Sequence, residues 1–557
     1  MKIVSGMHKS MRFAILLLAL TGMLGMPSTS SLASAPWKVS EVPLPGVNGE
    51  SNNVAFAFDR YVLVAPYAST KQIAEDADLS SLDNHILYLF DTKKPFAAPQ
   101  SIDLKPVGSS KTIFYPTRVV FDPKSQNVYV RGTRFVETEE GFEGIEVLGN
   151  TKLNLDDNNK PVFNSSFTVI DIKGVGAADH CSDAPLDFAT GQNGSLVVFT
   201  NGASIFTYNL DQGYVYKVDI VPAKDFGQDS RITYLDVDDT TNIATVCWNS
   251  KSKSEDGNVK TLSELSFYAL GKDGSLNLSK RVSSDKFPEN ASVTPGSRVA
   301  ISAGSDDRPD FAYFVTNDGT LCQVDLDSDT NVSTSVKQLQ KFDEFAQTSA
   351  DDASPRNVKI DSSKRMVGIV KQGFTAQIRR PSNGKAGRAK NLIRSLSTFN
   401  VVESPAFALV KLGNKKGKVT SSTVFADDFR SEEGLTNFAA GTEGQWMIST
   451  HSGKLYSVAS SDDPQNANLE LLVQLGTRTD QIAFCSARSS VVAISSLTSD
   501  ESGEGIAAPG ALIIAKSNDA GIQTSSAMNL FTSQNLLASR ITHGQSIRRP
   551  CNDKRIN

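Results

Sequence analysis

Histidine is the first residue type to weigh, because it ligates metals and moves protons near neutral pH. Beyond residue 35 the chain has four, His85, His180, His451 and His543, each alone and without His-x-His or His-x-x-x-His spacing. A transition-metal site would need ligands brought together from distant parts of the chain. His180 beside Cys181 is the nearest approach to a ligand pair, and a plain loop accounts for it. His451 reads as a surface turn residue. Asp325, Asp327 and Asp329 have the alternation that opens a calcium loop. An EF-hand then requires glycine at the sixth position and glutamate at the twelfth, where this chain has Thr330 and Val336. An Asp-rich hairpin end explains the run; calcium is the one cofactor to test there, and no other is implied. Residues 154–159 are similar. No P-loop, dinucleotide fingerprint or Gly-x-Ser-x-Gly elbow stands in a strand-turn-helix context. The five Asn-x-Ser sequons, at Asn164, Asn193, Asn277, Asn290 and Asn331, are near chance for this composition.

Charge is more informative. The chain carries 56 basic and 61 acidic residues. Without residues 1–35, which hold three basic groups and no acidic one, the net charge falls from −5 to −8. That balance argues against nucleic acid as a partner. The distribution is uneven. Segment 372–402 has no Asp or Glu and contains Arg379, Arg380, Lys385, Arg388, Lys390 and Arg394. Segment 133–166 is acidic, with Glu137, Glu139, Glu140, Glu143, Glu146, Asp156 and Asp157; segments 72–84 and 496–510 are acidic too. The basic segment suits an anionic partner, a protein or a surface glycan. A solvated run, or one attracted to the acidic segments, is the plainer alternative.

The elements that would position these groups are strands. One hairpin occurs three times, as VVFTNGASIF at 197–206, YFVTNDGTLC at 313–322 and MISTHSGKLY at 447–456. Each copy has an apolar strand ending in Thr200, Thr316 or Thr450. A polar turn containing Gly follows, then a large apolar residue five positions after the Thr. A recurring two-strand unit in a long chain signals a repeat fold. Eight first-and-second strand pairs follow in order: 54–58 with 61–65, 117–121 with 127–131, 186–189 with 195–200 and 232–237 with 243–248. The others are 298–302 with 311–316, 358–361 with 366–371, 436–440 with 445–450 and 481–485 with 491–495. Third strands are expected at 85–90, 167–172, 204–209, 265–270, 320–326, 407–412, 454–458 and 511–516. Fourth strands are clear only at 214–221 and 469–473. The strand at 37–44 is expected to complete the last unit and close a ring, since an open ring would leave strand edges unpaired.

With its TNDGTL turn at 316–321, the chain resembles bacterial extracytoplasmic β-propellers of the broad WD40-like and YVTN-like group. The resemblance implies an all-β propeller of about eight four-stranded blades, with seven as the alternative count, and implies no reaction. Trp-Asp, Gly-His and kelch di-glycine signatures are absent. Between second and third strands, units three, five and seven have tight turns. Long loops are expected at 66–84, 132–166, 249–263, 372–405 and 496–510, all on one end of the ring, as binding surfaces or as tolerated insertions.

Residues 1–35 read as a secretory signal, with Lys9 and Arg12, an apolar run at 13–26 and small residues at 33–35. The expected layout is a signal at 1–35, a propeller at 36–530 and a basic tail at 531–557. Cleavage near Ala33 or Ala35 would give a secreted or periplasmic monomer without a membrane span. Of five cysteines, Cys247, Cys322 and Cys485 fall within strands and read as buried thiols, while Cys181 and Cys551 are open to pairing. The leading expectation is a binding module for a protein or surface glycan. The alternative is a lactonase-like hydrolase with metal or carboxylates in the central channel.

Overall fold

The computed structural model describes residues 37–517 apart from several inter-strand stretches, of which 67–85, 171–186, 378–398 and 496–508 are the longest. Among the described residues eight antiparallel sheets follow one another along the chain, each built on four strands in up-and-down order; blade 2 adds a short fifth strand, Pro161–Phe163, and a separate two-stranded ribbon leaves blade 6. Blade 3 is the plainest: Asp187–Gly191, Leu196–Thr200, Ile205–Asn209 and Tyr214–Val218 pair in sequence order. Its second strand, LVVFT, is buried at every position. A strand covered on both faces by neighbouring blades has no solvent side, so it reads as a continuous apolar run rather than an alternating one.

Eight apolar clusters alternate with the eight sheets. Leu63 and Phe121 pack between blades 1 and 2, Tyr129 and Phe199 between 2 and 3, and Leu235 and Ile205 between 3 and 4. Phe267 and Phe314 fill the next interface, then Val315 and Ile369, Phe407 and Trp446, and Leu455 and Phe484. The last cluster joins Ile514 of blade 8 to Phe56 and Val64 of blade 1. The ring therefore closes: the fold is an eight-bladed β-propeller. Trp37–Asn48 supplies the outer strand of blade 8, pairing with Pro509–Ser517 from Trp37 opposite Ser517 to Pro43 opposite Ala511. The expected count and closing strand are both observed.

Two expectations need correction. The third strand of blade 2 is Gly141–Leu155, and Thr168–Ile170, expected as the third strand, is the fourth. The expected loops 132–166 and 249–263 are largely strand. Asn127–Thr138 runs on past the ring and returns through Gly141–Leu155. Ile243–Lys253 does the same with Val259–Leu270. Both stretches are polar enough to read as loop, yet a long hairpin satisfies its own backbone groups by cross-strand pairing and needs no apolar face.

Fourth strands missing from the sequence reading are Gln100–Asp103, Leu276–Ser283, Val336–Lys341 and Val419–Phe425. They form the rim and are partly solvated; Val336–Lys341 has no fully buried residue. Half-exposed polar strands lack the apolar run that marks the inner ones. Among the described residues no helix is long and apolar enough to cross a membrane.

Candidate functional site

The recurring threonines act as turn locks. Thr200 Oγ1 donates to Ser204 O (2.8 Å) and Thr316 Oγ1 to Thr320 O (3.1 Å), while Thr450 Oγ1 accepts from Lys454 N (3.1 Å). All three are buried. Gly319 completes the blade 5 turn with φ +86°, where a Cβ would lie 2.2 Å from Phe342 O. At the other end of the blades a second repeated device was missed in the sequence. Asp122, Asp238 and Asp361 each end a first strand and accept from the following turn: Ser125 Oγ (2.5 Å), Thr241 N (2.8 Å) and Lys364 N (3.1 Å) respectively. An Asp three residues before Ser, Thr or Lys at the end of each of these strands was the available signal.

These tight turns contrast with blade 6. Its second strand, Met366–Lys371, leads through Gly373 into a ribbon of Phe374–Gln377 paired with Phe399–Glu403. Gly373 has φ +71°, and a Cβ there would lie 2.6 Å from Pro405 N. The six basic residues Arg379, Arg380, Lys385, Arg388, Lys390 and Arg394 lie within 378–398, outside the described residues. The ribbon from which that segment departs has a built base.

At that base Glu403 meets Arg356 of the first strand, Oε1 to Nη2 2.6 Å, with both side chains fully buried. The guanidinium also donates to Phe345 O through Nε (3.1 Å) and Nη2 (3.0 Å), and to Ser354 O and Thr294 Oγ1 through Nη1. The other carboxylate oxygen accepts from Ser354 N, and Ser354 Oγ accepts from Gly373 N (3.1 Å). Burial pushes Arg356 below its ordinary value, and the charge of Glu403 opposes the shift. Lys371, directly opposite Arg356 in the sheet, is pushed down to about 8 by burial, with Glu403 opposing and Arg356 adding to the fall. A buried pair this fully hydrogen-bonded fixes one geometry rather than adding stability.

Blade 7 carries a lighter version. Glu432 accepts from Lys454 Nζ and Ser452 Oγ, each at 2.5 Å. Burial would raise this carboxyl, but Lys454 and Ser452 outweigh it and hold it below its ordinary value. His451, half-buried, donates its backbone N–H to Gly434 O (2.9 Å) in the adjoining turn.

Asp325 Oδ1 accepts from Asp327 N (3.1 Å), the bond of an Asx turn; Asp329 lies outside the described residues. His85, His180, His543, Cys181 and Cys551 also lie outside them. Cys247 and Cys322 are buried free thiols in one inter-blade cluster, and burial pushes Cys247 up to about 12. The eight innermost strands contain no histidine. Among them Lys359 is distinctive: its Nζ donates to Phe438 O (2.5 Å) and lies 4.9 Å from the Phe438 ring centroid. Burial pushes it down to about 7, Arg298 adds to the fall, and Asp236 opposes it. Among the described residues no three His, Cys, Asp or Glu side chains form a metal-sized group. A polar groove of about 490 Å³ lies at the rim between blades 5, 6 and 7, lined by Gln340, Thr420, Ser422 and Gln465.

No family model matches the chain, and no curated protein matches it. Solved structures do align with it. Raptor from Chaetomium thermophilum does so at 11% identity over 87% of this chain, which spans 29% of Raptor's, with a TM-score of 0.38. The WD40 domain of SCAP from fission yeast aligns at 9% identity over 87% of this chain and 99% of that one, TM-score 0.42. A catalytically inactive virginiamycin B lyase from Staphylococcus aureus aligns at 10% identity over 86% and 99%, TM-score 0.33. The propeller fold rests on this chain's own ring of sheets and not on these alignments. The alignments carry no argument about family, reaction or partner.

Proposed function

We propose that the chain is an exported, non-enzymatic binding module, secreted or periplasmic, that engages anionic groups of a protein or surface glycan through Arg379, Arg380, Lys385, Arg388, Lys390 and Arg394. The observation that supports this reading is the base of the blade 6 ribbon. A fully buried Arg356–Glu403 pair, Ser354 and Gly373 hold the two strands from which the basic segment departs. A merely tolerated insertion needs no such base, because surface insertions cost little in loop entropy. The export half of the reading rests on residues 1–35.

The test is retention of the 36–557 chain on immobilised alginate and, separately, on an immobilised acidic protein, with and without residues 379–394. Deletion should abolish retention on one of the two supports, and the intact chain should elute with rising salt. Equal retention of both forms would remove the basis of the reading.

A further inference from the structure

We infer that the rim groove of about 490 Å³ between blades 5, 6 and 7 is a binding site for a neutral saccharide unit. Most of its lining comes from the outer strand of blade 6, Val419–Phe425, whose sequence VTSSTVF sets four hydroxyl residues in succession. Gln340 lines it from the outer strand of blade 5, and its Nε2 donates to Ser422 Oγ (2.9 Å). Gln465 lines it from the turn Pro464–Asn466 of blade 7. In that turn Pro464 O accepts from Thr423 Oγ1 (2.6 Å), and Asp463 Oδ1 accepts from Gln465 N (3.1 Å). Both neighbouring blades are thereby bonded to the strand between them, so the groove is organised before a ligand arrives.

The chemistry of the lining selects the ligand. Among the described residues Leu339 and Val419 are its apolar side chains, both half-buried, too little surface to hold an apolar ligand. Lys418 is its one charge, and it is exposed. A single exposed ion pair contributes at most about fivefold in affinity, so an anion gains little there. No carboxylate lines the groove to hold a cation. Amides and hydroxyls remain, and together they both donate and accept, as the hydroxyls of a sugar do. Gln340 Oε1, the Ser422 O–H and the Gln465 side-chain amide make no other hydrogen bond among the described residues. Solvation of the rim does not call for such a lining. Every other described outer strand of four residues or more carries a charge, among them Lys217, Lys280, Lys337 and Glu470, whereas Val419–Phe425 carries none. The site is independent of the basic segment.

The experiment titrates the 36–557 chain calorimetrically with linear hexasaccharides of glucose, mannose, galactose or N-acetylglucosamine, and with an alginate hexasaccharide as the charged control. At least one neutral hexasaccharide should bind saturably, and added salt should leave its affinity unchanged. Gln465→Ala, an exposed change that removes no contact within the fold, should weaken that binding about fivefold. Adding Ser422→Ala should bring the loss to at least about tenfold. Deletion of 379–394 should have no effect. The inference is overturned by an absence of saturable binding to every neutral hexasaccharide, by tighter binding of the alginate one, by indifference to the two substitutions, or by loss of binding on the deletion.

Discussion

Blades 6 and 7 both bury a glutamate at the same end of the ring, and the two are held differently. Glu403 and its partner Arg356 have no exposure, while Lys454, the partner of Glu432, keeps a third of its side-chain surface in solvent. The first pair has left water altogether and is repaid by five further hydrogen bonds, from Arg356 to carbonyls and Thr294 and from Ser354 to Glu403. The second keeps one ion in contact with water and ties down a three-residue turn. A long insertion has been given a rigid, costly base; a tight turn has been given an adaptable one. The difference is about placement, since a desolvated ion pair tolerates only one arrangement.

That contrast can be broken most directly at Arg356. Arg356→Met leaves Glu403 buried without its hydrogen-bonded counter-ion and should lower the unfolding free energy by about 3–5 kcal/mol. Urea denaturation measures it, and adding Glu403→Leu should restore most of the loss. A loss below about 1 kcal/mol would show that the blade 6 pair behaves like an exposed one.

Lys371 sharpens the same region through pH. Its folded value of about 8 lies below the ordinary 10.5. Between those values the unfolded chain binds more protons than the folded one, so this group makes stability rise with pH across that window. Below about pH 8 the penalty is constant. Lys371→Met should remove the rise, seen as a smaller gain in urea midpoint between pH 8 and pH 10 than the unaltered chain shows.

The smallest effect belongs to blade 7. Lys454→Ala should cost no more than about 1 kcal/mol and less at high salt, because the lysine is partly solvated. Glu432 is held low, so its contribution is present above the ordinary carboxylate range and lost as pH falls through its depressed value. The stability gap between the unaltered chain and Glu432→Gln should therefore close in acid.

Much of the propeller could be read from the residues. All eight first-and-second strand pairs were visible because buried inner strands such as LVVFT at 196–200 are apolar at every position. The closing strand, expected at 37–44 and observed at Trp37–Asn48, was visible because a ring needs one. The four rim strands that escaped notice, and the extended hairpins of blades 2 and 4, are polar, and nothing local separates a polar strand from a loop. The basic residues of 379–394 stood out by charge alone. Arg356 and Glu403 did not, since they are 47 residues apart and each looks like an ordinary surface ion until the sheet brings them together.

The sequence by itself determined the repeat, a count of about eight blades and the sign of each insert, because these depend on local pattern and composition. Only the tertiary structure decided which charges are buried and where the insert of blade 6 is anchored. Those outcomes depend on contacts between residues far apart in the chain, and burial changes the energy of a charge far more than its neighbours in sequence do.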